Sequence, residues 1–201
     1  MKYPNFFDKI EPIVMRDPLA DFLGACEEGI IEYSYVDAVK FAGHSCPTVA
    51  GAYLMTKLAL EKLYKNETPV RGEIKVDVKG ALDEGVEGVI GNCAAFITGA
   101  ANEGGFKGIG NKFGRNNKLH FQVDIDGDLR FTRIDTGKSV TLSYNPSSVP
   151  ADPKQAFYMQ KIMQKTATKE DRENFKKLWQ QRVEKILTNK EIWKDIIKIK
   201  E

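Results

Sequence analysis

The chain has 201 residues and a mass of 22.6 kDa, with 42% hydrophobic, 10% aromatic and 29% charged residues. A chain of this length and make-up can bury its own core without staples, which excludes disordered, collagen-like and low-complexity readings. Thirty Lys and Arg against 28 Asp and Glu leave a formal net charge of +2, so no basic field points to nucleic acid.

No apolar run approaches the roughly 20 residues that cross a bilayer, and Met1-Lys2-Tyr3-Pro4-Asn5-Phe6-Phe7 lacks the basic flank and apolar stretch of a signal peptide. The expectation is a cytoplasmic protein with neither a membrane nor a nucleic-acid partner. Cys26, Cys46 and Cys93 are odd in number and widely spaced, which argues against a disulfide framework and leaves burial, metal ligation or reactivity. From Ala151 onward 13 Lys and Arg stand against 8 Asp and Glu, a mildly basic stretch that reads first as a solvated helical face.

In chain order, Asp17-Pro18 supplies a helix cap and first helical residue and Gly24 a stop, so a short helix is expected over residues 19–23. Ile30-Ile31-Glu32-Tyr33-Ser34-Tyr35 is β-rich, and residues 37–41 form a helical turn that ends at Ala42-Gly43. Pro47 opens a strong helix over 48–64, with Ala50, Gly51 and Ala52 keeping one side narrow enough for close packing. Residues 73–79 alternate as a half-buried strand should. Residues 86–90 fit either a strand or a helix start, and 93–99 lean towards helix. A glycine-rich loop follows over 104–114. Strands are expected at 119–125, 129–134 and 140–144, joined by hairpin turns at Asp126-Gly127 and Thr136-Gly137. Asp152-Pro153 opens one tail helix and the pair Thr168, Asp171 the next, which carries an apolar stripe through Phe175, Trp179, Val183 and Ile186. Asn189 caps a last amphipathic helix bearing Ile192, Trp193, Ile196 and Ile197. The class is α+β, an antiparallel sheet packed with helices. Residues 1–150 form the main domain with its helical lead-in, and 151–201 a helical C-terminal extension.

Only His44 and His120 are available as histidines, and His44-Ser45-Cys46-Pro47 puts one of them two residues from a cysteine at a helix N-terminus. The free N–H groups and dipole there favour a thiolate. Three readings stay open on these residues alone: a capped helix with a buried cysteine, two ligands of a zinc-class metal, or a Cys46 nucleophile with His44 as its base. Cys93 is the natural third ligand, although a free cysteine in an apolar segment is often simply packed. Cys26 reads as inert and His120 as a surface strand residue. In the glycine-rich loop, Lys107, Lys112 and Arg115 offer contacts for a phosphate or carboxylate, without a nucleotide-binding motif.

Phe41-Ala42-Gly43-His44-Ser45-Cys46-Pro47-Thr48-Val49-Ala50-Gly51 resembles the Gly-His-x-Cys-Pro signature of the FmdE-like family of formylmethanofuran dehydrogenase proteins. Ile97-Thr98-Gly99 and Gly105-Phe106-Lys107-Gly108 resemble its second block, and together the blocks span about residues 30–145. The resemblance implies an α+β domain, commonly a homodimer, with a zinc site in a cleft and His44 and Cys46 as ligands. It also implies a Cys-x-x-Asp pattern ahead of Thr98-Gly99, where this chain has Val89 and Asn92. Cys93 lies one helical turn beyond the missing cysteine. The functional expectation is a metal-binding protein acting on, or as a cofactor accessory for, a small anionic molecule. The alternatives are a metal-free thiol enzyme and a non-enzymatic assembly protein.

Overall fold

The computed structural model describes residues 2–201. Its centre is helix α3 (Pro47–Tyr64), whose residues from Val49 to Thr56 are all buried. A helix apolar on every side must be covered on every side. Helices α2 (Tyr35–Ala42), α4 (Glu87–Thr98) and α6 (Lys169–Thr188) pack on it, and the main sheet covers the rest. Gly51 is the point of closest approach, since a Cβ there would overlap the ring of Tyr144.

The sheet has five strands in the order β4 (Leu119–His120), β3 (Ile74–Val78), β5 (Leu129–Arg133), β6 (Ser139–Tyr144) and β7 (Ile197–Lys200). Strand β3 (Ile74–Val78) pairs antiparallel with β5 (Leu129–Arg133), which pairs antiparallel with β6 (Ser139–Tyr144) across Thr136-Gly137. A separate two-stranded sheet joins β1 (Ile13–Arg16) to β2 (Ile30–Tyr33) near the N-terminus. Between them lies the short helix α1 (Pro18–Phe22), whose Asp17 cap accepts from the N–H groups of Leu19 and Ala20 at 2.9 and 3.2 Å. The α+β class expected from the sequence is the class observed.

Three local expectations need correction or completion. Residues 86–90 belong to α4, one continuous helix with the 93–99 segment. The strand expected over 119–125 is only β4 (Leu119–His120), and it runs parallel to β3, with Val76 opposite Leu119. Asp126-Gly127 therefore makes no hairpin: β4 and β5 flank β3 on opposite sides. After His120 the chain crosses the end of β3, where Gln122 takes a positive φ of 57° and the Val123 N–H bonds the Val78 carbonyl. Buried Asp77 holds the three strands together, bonding His120 Nδ1 at 3.0 Å on one side and the Arg130 guanidinium at 2.7 and 2.9 Å on the other.

The tail opens as expected. Asp152 caps α5 (Pro153–Met163), and a reciprocal Thr168–Asp171 capping box starts α6. The last helix is shorter than expected. Asn189 caps a single 3-10 turn, α7 (Trp193–Ile196) adds one more, and the chain then extends as β7 (Ile197–Lys200) to pair with β6. Alternation of Ile and Lys over its four residues suits a strand, and its hydrogen bonds close an open sheet edge. No helix among the described residues is long and apolar enough to cross a membrane.

Candidate functional site

Helix α2 ends in a left-handed cap at Gly43, φ 76°, which swings the chain away from the α2 axis and into the His-x-Cys-Pro turn. His44 is exposed, and its Nδ1 donates to the Ala42 carbonyl at 2.9 Å. An imidazole so bonded keeps its lone pair on Nε2, the arrangement that backbone carbonyls impose on metal-binding histidines. Cys46 is the N-cap of α3, only 8% exposed, and its Sγ accepts the Val49 N–H at 3.4 Å.

Ser45, between them, is fastened from both sides. Its Oγ bonds Tyr35 Oη at 3.0 Å and donates to Gln180 Oε1 at 3.1 Å, while its carbonyl accepts from Trp179 Nε1 at 2.9 Å and Gln180 Nε2 at 3.3 Å. Tyr144 Oη donates to the Pro47 carbonyl at 2.9 Å. The turn is thus clamped by α2, α6 and β6. Burial raises the Tyr35 and Tyr144 hydroxyls well above the ordinary tyrosine value, so both remain neutral donors.

His44 opens on a cavity of about 400 Å³, lined also by Phe41, Leu82, Asp83, Val89 and Asn92. Val89 and Asn92, at the positions where the resemblance implies Cys and Asp, line the same cavity as His44. Neither supplies a thiolate or carboxylate. Cys93 is turned into the core and fully buried, and burial, with nearby Cys46 adding to it, pushes its thiol up to about 12. Among the described residues no group of three or more His, Cys, Asp or Glu is placed to hold a metal. The chemistry of His44 and Cys46 fits two zinc ligands. Val89, Asn92 and the protonated Cys93 leave the remainder of the expected set unfilled.

Lys107 and Lys112 are exposed on the glycine-rich loop, which closes on itself through paired bonds between Ile109 and Lys112. Neither lines the cavity at His44. Arg115, from the same stretch, turns inward and pairs with Asp17 at 2.5 Å. Cys26 is half-buried and His120 belongs to the Asp77 network. Sequence reasoning missed Ser45, Trp179 and Gln180 as the clamp on the turn. Contacts spanning 134 and 135 residues leave no local signal. Trp179 is visible in the sequence only as one member of an apolar stripe.

The fold and this turn define a class: an α+β domain whose central buried helix begins at a His-x-Cys-Pro turn. A family model described as FmdE, Molybdenum formylmethanofuran dehydrogenase operon, matches residues 41–193, and the chain belongs to that family. No curated protein and no solved structure matches it.

Proposed function

We propose that this FmdE-family protein binds a zinc-class metal through His44 and Cys46 and presents it, as a homodimer, to a small anionic molecule in the His44 cavity. The observation that carries the reading is the His44 ring. Its Nδ1 is committed to Ala42, and the ring lines a cavity large enough for a small ligand. Cys46 supports it, because its sulfur, a ligand type that zinc takes, stands two residues on at the start of α3, where it accepts the Val49 N–H. When bound, such a metal supplies a Lewis acid. The chain's own part is to fix the turn through Ser45 and to line the approach with Phe41, Val89 and Asn92.

The test is elemental analysis of the full chain purified without chelator, beside His44→Ala, Cys46→Ser and Cys93→Ser. Near-stoichiometric metal in the wild type, lost in the first two variants, is the expected result. Retention in Cys93→Ser would leave Cys93 as core, and loss there would make it the third ligand. A wild type that stays metal-free after reconstitution overturns the proposal. Rapid iodoacetamide labelling of Cys46 in that protein would favour the nucleophile reading instead.

A further inference from the structure

A second cavity, of about 350 Å³, adjoins the one at His44, since Phe41 and Asn92 line both. Its other end is built from Arg71 and Arg115. Arg71 is largely consumed by structure: Nε and Nη2 donate to the Ile97 and Phe96 carbonyls at 3.0 and 2.9 Å, and Nη1 to Asp17 at 3.0 Å. Arg115 is different. Its side chain is 10% exposed, and of its five N–H donors only those on Nη2 meet an acceptor among the described residues, the same Asp17. Room has been cleared for it, because a Cβ on Gly72 or Gly99 would overlap its guanidinium.

The charges do not balance. Two guanidiniums share one carboxylate, which leaves a surplus of one positive charge in a largely buried place. The neighbouring Lys118 does not alter the count, since it lies 3.9 Å from Glu73 and also bonds the Gly72 carbonyl. Burial lowers the Arg115 pKa, with Arg71 adding to it, against the opposing pull of Asp17 and, more weakly, Glu73. Between Arg115 and His44 stands Phe41, half exposed, its ring stacked on Phe96 at 4.8 Å and 14°. The same residue lines both cavities.

We propose that the joined cavities are a binding site for a small monocarboxylate with a flat apolar body, the carboxylate on Arg115 beside Arg71 and the body on Phe41. One negative charge completes the cluster, and a planar carboxylate suits the guanidinium fork. Such a ligand extends from the arginines towards His44. That last placement rests on the metal reading above; the binding itself does not. The assignment also moves the anion contact from Lys107 and Lys112 to the buried arginine of the same loop.

The test titrates isotopically labelled full-length protein with sodium benzoate, benzamide and inorganic phosphate, following backbone amide signals by NMR. Benzoate is expected to shift Gly99, Ala100 and Asn102, and neutral benzamide to bind roughly ten-fold more weakly, the equivalent of one charge-assisted hydrogen bond. Asn102→Asp, whose carboxylate can keep the turn bond to the Gly104 N–H, cancels the surplus charge and should weaken benzoate by a similar factor without loss of folding. Phe41→Ala, at an exposed position, should weaken it as well. Silent cleft amides at millimolar benzoate, equal binding of benzamide, or phosphate binding tighter than benzoate would each overturn the proposal. Metal content measured on the same samples separates the two readings. Benzoate shifts in metal-free protein keep this site and remove only the metal, whereas stoichiometric metal with a silent cleft does the reverse.

Discussion

Replacing Asp17 with asparagine keeps the shape of the side chain and removes its charge. Asparagine caps a helix as well as aspartate does, so the bonds to Leu19 and Ala20 survive in Asp17→Asn. The pairs to Arg115 at 2.5 Å and Arg71 at 3.0 Å do not. Breaking a buried pair from one side costs about 3–5 kcal/mol, because the surviving charge stays buried and alone. Arg71 is partly solvated and retains two carbonyl partners, so the lower end applies, about 3 kcal/mol, or ~6–12 °C in Tm for a chain of this size. Asp17→Ala should lose about 1 kcal/mol more, the worth of the cap. Urea unfolding followed by circular dichroism at neutral pH measures both, with an unchanged m-value expected. An Asp17→Asn protein within about 1 kcal/mol of the wild type would refute the claim that this cluster is a buried, under-neutralised charge site.

The same residue carries a pH signature. Burial alone would raise the Asp17 carboxyl, yet the Arg71 hydrogen bond, the Arg115 charge and the Ala20 N–H together hold it below the usual carboxylate range. A folded pKa below the unfolded one means the stabilisation is complete above about pH 4, the unfolded value, and fades as pH falls through the folded one. The stability gap between wild type and Asp17→Asn should therefore narrow in acid.

Two further outcomes follow from α4. Val89→Cys with Asn92→Asp puts the Cys-x-x-Asp donors that the resemblance implies on the cavity wall shared with His44, at positions exposed enough to accept the change within about 0.5 kcal/mol. The double variant should bind zinc more tightly than the wild type and gain about 2.7 kcal/mol of stability at a hundred-fold excess over Kd, as read by chelator competition and melting; unchanged zinc affinity would mean that this wall is not a metal site. Cys93, with its thiol at about 12, presents roughly a thousand-fold less thiolate than an ordinary cysteine. Peptide mass spectrometry after iodoacetamide should find it labelled only when urea is present, and fast labelling in the native protein would show that it is not core.

Elements whose signals are local were readable from the chain. Asp17-Pro18, Cys46-Pro47, Asp152-Pro153 and the Thr168–Asp171 box each fix a helix start within one turn, and each start is observed. Strand pairing is not local. Leu119, Phe121, Val123 and Ile125 alternate as an antiparallel strand would, but only Leu119 and His120 find a partner, and that partner runs parallel. The end of the chain fails for a related reason. Ile192, Trp193, Ile196 and Ile197 fit a helical face, while Ile197 and Ile199 also fit a strand, and the open edge of β6 decides between them.

The turn bearing His44 and Cys46 was legible because its chemistry and its helix start coincide in four residues. The opposite wall was not, as long as 86–90 stayed undecided between strand and helix. On one continuous helix, Val89, Asn92 and Phe96 share a face, and Cys93 is rotated by roughly 100° from Asn92 towards α3. That rotation separates the cavity wall from the core, so the only cysteine on α4 sits on the buried side while Val89 and Asn92 form the wall. The anion cluster was hidden more thoroughly. Its pairs join residues 54 and 98 apart, and Asp17 shows in the sequence only as a helix cap. One carboxylate both starts α1 and holds two arginines, and that double duty explains why a short, solvent-facing helix should begin at one of the few buried acids in the protein.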